Sequence, residues 1–276
     1  MTKKILIAVF VCVFAVMVTV PAWAEEDRKT EATIIVDKAR IVVESMLLSP
    51  DDQVPSELIA MCDGIVIVPG MMKGGFFLGG SYGEGVVVTR HGNTFSAPAF
   101  LSMGAGSLGL QFGVQSADVI LVIFGKDTLN SFLMSNKVKL GGDMAMVAGP
   151  VGAQLSAATD LMLNGGIYSY SRSKGLFAGI SLEGAGVSMN HALNQAYYGN
   201  IWKPEEILGA TNLLVPESGD KLVRALESAT KKGEEYKATA ETNKEKNKEI
   251  DRQMEELERQ QLDLQRQKDN LERQRP

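Results

Sequence analysis

Gly104, Gly106 and Gly109 in the stretch G-A-G-S-L-G-L-Q-F-G fit the G-x-G-x-x-G spacing that wraps a dinucleotide pyrophosphate. That chemistry needs a strand before the turn, a helix opening inside it and a ribose-binding acid about twenty residues on. Asp127, 18 residues past Gly109, roughly meets the last requirement. The flanks do not meet the others. Leu108, Leu110, Phe112 and Val114 alternate with Gly or Gln, which is the period of a strand with one apolar face. These glycines are expected to let a strand bend and pack closely.

A second spacing, Gly79-Gly80-Ser81-Tyr82-Gly83, fits the G-x-S-x-G elbow of a serine hydrolase. Ser81, an acid such as Asp118 or Asp143, and His191 could form a triad in that order. The elbow needs a helix after the serine, however, and E-G-V-V-V-T reads as another strand. A glycine-rich hairpin accounts for the motif with fewer assumptions, leaving a Ser81 hydrolase as a lesser alternative. Two histidines a hundred residues apart and one cysteine beyond residue 24 offer no zinc spacing. No metal and no cofactor are expected.

The remaining candidates are cations beside apolar, aromatic or hydroxyl residues. Lys73 lies between Met71-Met72 and Phe76-Phe77; Arg172 and Lys174 lie in Y-S-Y-S-R-S-K-G; Lys137 and Lys139 flank Val138. Cations and hydroxyls bind phosphate, and neighbouring apolar side chains suit a lipid interface. Lys73, Arg172, Lys174, Lys137 and Lys139 are thus candidate lipid or anion contacts, with Phe76, Phe77, Met71 and Met72 as apolar membrane contacts. Each alone also fits a solvated strand end, so convergence on one face is the test.

The elements that must position these residues follow from pattern. Lys3 and Lys4, an apolar run over 5–20, Pro21 as a breaker and Ala22-Trp23-Ala24 resemble a cleavable secretory signal over residues 1–24. Export predicts a periplasmic or secreted protein, peripheral to the outer membrane in one version. Cys62, beside I-V-I-V, is expected to be a buried apolar residue rather than a reactive thiol. The net charge of −5 argues against a nucleic-acid partner. Residues 33–48 form an amphipathic helix whose polar face is mixed in sign, which favours packing over membrane insertion. A short helix up to Met61 follows. Glycine-punctuated strands then run over 64–69, 74–80, 85–90, 99–113, 117–125, 143–149, 167–173 and 176–188, with short helices from Asp127, over 190–198 and over 204–208. The expected fold class is α+β: a glycine-rich antiparallel β barrel or sandwich with flanking short helices and a long charged C-terminal helix.

Composition shifts near residue 217, so a domain over 25–216 and a charged tail over 217–276 are expected. In the tail Ile250, Leu257, Leu264 and Leu271 recur every seven residues, with Met254, Gln261 and Lys268 in the second row. This helix either pairs chains into a homo-oligomer or stands alone as a solvated helix.

In order, the motifs G-I-V-I-V-P, K-G-G-F-F-L-G-G-S-Y-G-E-G, F-S-A-P-A-F, G-S-L-G-L-Q-F-G-V-Q-S-A-D, L-G-G-D-M-A-M-V-A-G-P-V-G, Y-S-R-S-K-G-L-F-A-G-I-S-L-E-G and A-Y-Y-G resemble the SYLF domain from about Ala32 to Leu214. The resemblance implies a non-catalytic lipid-binding module. Eukaryotic relatives bind phosphoinositide-containing membranes, and some engage actin. For an exported bacterial protein the expectation becomes phospholipid binding at an envelope membrane. The second hypothesis is an envelope interaction protein that oligomerises through its tail.

Overall fold

Strand residues in this chain are apolar at consecutive positions, and the computed structural model shows the reason. It describes residues 2–47, 56–75, 78–108, 113–134, 137–149, 165–173, 176–179, 182, 184–210 and 213–273, with side chains described from residue 25 onward apart from short gaps. Ten strands occur: β1 (Gly64–Gly75), β2 (Leu78–His91), β3 (Thr94–Phe95), β4 (Ala99–Leu108), β5 (Gly113–Phe124), β6 (Val138–Lys139), β7 (Met146–Ala148), β8 (Gly166–Ser173), β9 (Leu176–Gly179) and β10 (Gly186–Met189). Six helices accompany them among the described residues: α1 (Thr2–Leu47), α2 (Ser56–Met61), α3 (Lys126–Met134), α4 (His191–Tyr198), α5 (Pro204–Gly209) and α6 (Glu217–Arg273).

The main path of the sheet runs β6-β10-β4-β2-β1-β5-β8-β7, with β3 on β2 and β9 on β8. β7 pairs with β8 in parallel and every other strand pair is antiparallel. The α+β class is therefore as expected, and the sheet, antiparallel except at β7–β8, curls into a half-barrel. The physical reason is coverage. Residues 65, 67, 86, 88, 100, 120 and 122 are buried on one face and residues 66, 68, 87, 101, 119, 121 and 123 on the other. Helices seal both faces of one sheet, so the sheet has no need to close on itself.

On the first face, α1 contributes Ala32, Ile35, Val36, Ala39, Val42, Val43 and Met46, all buried at the three- and four-residue spacing of one helical stripe. The predicted helix, described as far as Leu47, thus packs against the sheet, as its mixed polar face suggests. α1 continues through Pro21, where the sequence predicts a break. Proline removes one i→i−4 hydrogen bond, yet the helix runs on across it. α4 and the first turns of α6 complete this layer through Leu193, Tyr197, Leu222, Ala225, Leu226 and Ala229. The compact unit therefore reaches Gly233, past the composition boundary at 217, because Leu and Ala recur at helical spacing inside the charged region. On the second face α3 and α5 pack through Leu129, Phe132, Ile207 and Leu208.

One irregularity divides the sheet. β1 is in register with β5 up to Val68 and again from Met71, leaving residues 69 and 70 as a bulge. Gly70 takes a φ of 62°, the left-handed region that favours glycine. Across the ladder, β2 approaches so closely that a Cβ on Gly85 would fall on the Ile67 carbonyl oxygen and lie 2.8 Å from Val68 Cα. We expect Gly85→Ala to lose about 3 kcal/mol by overpacking, a fall of roughly 6–12 °C in Tm. Gly106→Ala, whose Cβ meets nothing within 4 Å, should stay within about 0.5 kcal/mol. Thermal unfolding of both variants checks the contrast.

Candidate functional site

Beyond the bulge the sheet outruns its covering helices. Met72, Lys73, Gly80, Tyr82, Gly106, Gln115 and Ser116 are exposed, although they lie in the same strands as the core. Register shows what this outer half presents. Lys139 on β6 is opposite Gly186, Gly186 opposite Gly104, Gly104 opposite Tyr82, and Tyr82 opposite Met72. Directly opposed residues share a face, so a cation stands at one end of this row and an aromatic-thioether pair at the other. The next row on that face is Gly106, Gly80 and Gly74. Between Lys139 and Tyr82 the floor is backbone alone, and it is open above Gly106. Tyr82 is 57% and Met72 50% exposed.

Tyr82 is held upright by a polar cluster. Its hydroxyl donates to Glu84 Oε1 at 2.9 Å, and the Ser102 hydroxyl, 3.4 Å away, is placed to donate to the phenol oxygen. Asn190 Nδ2 donates to the same Glu84 oxygen at 3.1 Å and to Ser102 Oγ at 3.2 Å. Ser102 draws the phenol's pKa down, but desolvation and the carboxylates of Glu84 and Glu31 outweigh it, so the value lies above that of an ordinary tyrosine. Tyr82 therefore stays a neutral donor with an exposed ring.

Several sequence-predicted contacts have other duties. Met71 is 5% exposed and packs in the second-face core, so it is not a membrane contact; the bulge turns it inward and Met72 outward. Arg172 is not a free anion site. Its Nε donates to Asp118 Oδ2 at 2.8 Å and its Nη1 to the Ser45 hydroxyl of α1, because β8 sets Arg172 directly opposite Asp118. Asp118 Oδ1 also accepts from the Gly70 amide at 2.9 Å, so this ion pair fixes the bulge. Lys73 is exposed but is opposite Ser81, on the other face from Met72. Lys137 and Lys139 are exposed on either side of buried Val138, and the Lys139 amide donates to Asp143 Oδ2 at 2.8 Å. Phe76, Phe77 and Lys174 lie outside the described residues. Thus Lys139 and Met72 share a face, whereas Lys73 does not join them. Tyr82 is not among the contacts expected from sequence, where the G-x-S-x-G spacing points instead to Ser81. The available signal is the two-residue spacing of Tyr82 and Glu84, which sets both on one face with a glycine between.

The chemical motifs dissolve similarly. Gly104 and Gly106 lie inside β4, which ends at Leu108, and Gly113 already belongs to β5. The stretch is the exit of one strand and the entry of the next, not one strand over 99–113; Gly109, Leu110 and Phe112 lie outside the described residues. Leu108 is opposite Leu78 and Gly113 opposite Gly75, so both ends flank the β1–β2 connection. Ser81 sits mid-strand and shares its face with Ala105, which packs against the second-face core. Asp118 and the helix that starts at His191 are on the first face. Asp143 binds the Lys139 amide. The structure does not assemble Ser81 with His191 and either acid. Among the described residues no group of three His, Cys, Asp or Glu side chains is placed to hold a metal ion.

A cleft of about 360 Å³ lies between α3 and α5, with Asp63, Arg90, His91, Lys126 and Glu205 on its walls. Most of its polar groups serve the fold. Asp63 Oδ2 accepts from the Gly125 amide at 2.8 Å, His91 Nε2 donates to the Leu208 carbonyl at 2.7 Å, and Arg90 donates to the carbonyls of Ile59 and Gly92. Cys62, close to Arg90, is buried and its thiol lies 3.3 Å from the Ile59 carbonyl. Desolvation pushes the thiol up to about 12, against the pull of Arg90.

The fold and this surface define a half-barrel module that offers an open, glycine-floored face. A family model described as "Las17-binding protein actin regulator" matches residues 104–229. The chain is 30% identical over 212 residues to "LAS seventeen-binding protein 3" of Saccharomyces cerevisiae, covering 76% of this chain and 45% of the yeast protein. It is 29% identical over 188 residues to "SH3 domain-containing YSC84-like protein 1" of Xenopus laevis, covering 67% and 55% of the two chains. The human protein of that name is 27% identical over 240 residues, covering 84% and 68%. The chain belongs to the SYLF domain family, and it spans about half the length of the first of these relatives.

Two measurements follow from this geometry. Arg172→Ala should destabilise the fold by about 2 kcal/mol, since the pair is mostly withdrawn from solvent and its loss strands Asp118; denaturant titration reads this. Native Cys62 should resist thiol reagents at pH 8 and react once the chain unfolds. The folded pKa lies above the ordinary thiol value of 9.0, so the stabilisation from the buried thiol is complete below pH 9 and is lost as pH rises towards 12. Stability measured over that range should fall.

Proposed function

We propose that this chain is a non-catalytic module that binds an anionic phospholipid surface with the outer half of its sheet, at a bacterial envelope membrane after export. The exposed Met72–Tyr82 pair carries the reading. Two large apolar side chains stand together beside a floor of glycine backbone, with Lys139 at the far end of the same row. An exposed apolar group of this kind is a feature of interaction surfaces. The floor lets headgroups approach the backbone, and Tyr82 has the apolar body and polar tip that suit a membrane interface. The amphipathic helix cannot supply the insertion, because its apolar stripe is spent on the core. Export is supported by the basic start, the apolar run over 5–20 and Ala22-Trp23-Ala24. The names of the relatives speak of Las17 binding and actin regulation. Those labels belong to longer proteins and are not assigned to this chain.

Flotation of the full chain with phosphatidylglycerol vesicles and with phosphatidylcholine vesicles tests the proposal. Binding to the anionic vesicles is expected. Met72→Ser with Tyr82→Ser should weaken it at least tenfold. Near an anionic surface each cation contributes about 1 kcal/mol, so Lys139→Ala should cost roughly fivefold, while Lys73→Ala, on the other face, should leave binding unchanged. Gly106→Glu should weaken binding without lowering Tm. Absence of binding to either vesicle, or full binding by the Met72/Tyr82 variant, would overturn the proposal.

A further inference from the structure

The distal part of α6 forms its own unit, Glu234–Pro276. Ile250, Met254, Leu257 and Leu264 are between 52% and 57% exposed along this helix. They lie on one stripe with a seven-residue period, and among the described residues nothing within the unit covers them. A helix of this length gains little from its surface pairs. The contacts from Arg252 to Glu249 at 3.8 Å and from Gln253 to Glu249 at 3.2 Å are each worth only a few tenths of a kcal/mol.

We infer that this stripe is the seam of a parallel, in-register two-stranded coiled coil formed with a second copy of the chain. Position d is held by Tyr236, Asn243, Ile250, Leu257, Leu264 and Leu271, and position a by Ala240, Asn247, Met254, Gln261 and Lys268. Leucine at d with an occasional asparagine at a is the pattern of two strands, since paired asparagines satisfy each other only in matched register. The flanking charges agree with the same orientation. In a parallel dimer each g residue faces the e residue five positions later on the partner. Lys246 then meets Asp251, while Thr239–Lys244, Gln253–Glu258, Gln260–Gln265 and Gln267–Glu272 bring no like charges together. Lys268 at a sets two ammonium groups side by side and loosens only the last heptad. A solitary helix would have no use for leucines kept in one row; of the exposed apolar residues in this unit only Leu262 stands off the two rows.

This inference is independent of lipid binding. The full chain should sediment at twice its single-chain mass at micromolar concentration. Ile250→Lys with Leu257→Lys should return it to the single-chain mass, a weakening of at least 100-fold, with the Tm of the Met1–Gly233 unit unchanged. Leu264→Cys should give a disulfide-linked dimer on oxidation beyond that of the unsubstituted chain. Arg259→Cys, on the outer face of the helix, should not. A single-chain mass for the unsubstituted protein, a dimer that survives the double lysine variant, or cross-linking at Arg259 rather than Leu264 would overturn the inference.

Discussion

The ion pair of Arg172 with Asp118 is the contact on which the arrangement of this molecule turns. Asp118 spends one carboxylate oxygen on Arg172 and the other on the Gly70 amide, and Arg172 reaches on to Ser45 of α1. Four elements meet there: β1 at its bulge, β5, β8 and the covering helix. Both side chains are about four-fifths withdrawn from water. At such burial an ion pair stabilises only when its remaining hydrogen-bonding capacity is met, and here the carboxylate has a partner at each oxygen. On one side of this junction the sheet is sandwiched between helices; on the other Met72, Tyr82 and Gly106 are exposed.

The bulge has a cost on the neighbouring strand. Where β1 swells, β2 must be thin, and both Gly83 and Gly85 lie where a Cβ would meet β1 backbone. The motif Y-G-E-G thus divides its labour: its glycines admit the bulge, while Tyr82 and Glu84 point the other way and build the polar post. The motif A-Y-Y-G works in the same manner. Tyr197 packs edge-on against Phe100 at 5.1 Å, Tyr198 donates to the Pro98 carbonyl at 2.6 Å, and Gly199 ends α4 in a left-handed turn. Much of what resembles a family signature is the mechanics of one sheet meeting its helices.

This explains what could be read in advance. Helices α2, α3, α4 and α5 and most strands were legible because capping residues, apolar runs and glycine punctuation are local signals. The two-faced burial was not, since an unbroken apolar run does not say which neighbour covers each side. The site was half legible. Lysines beside methionines mark an amphiphilic surface, but sequence does not show that the bulge rotates Met71 inward. Nor does it show that Asp118, 54 residues away, claims Arg172. The row joining Lys139, Tyr82 and Met72 depends on pairing between strands distant in sequence, and no local pattern contains it.

The first-face core draws on both ends of the compact unit, with Ala32–Met46 from one and Leu222–Ala229 from the other. Lys232 bonds the Leu47 carbonyl at 3.1 Å and Arg90 bonds Thr230, closing the same seam. Contacts of such sequence separation form late and slowly. A nascent chain therefore cannot seal this layer until about residue 230 has left the ribosome, and up to that point the apolar face stays open to whatever binds unfolded chains.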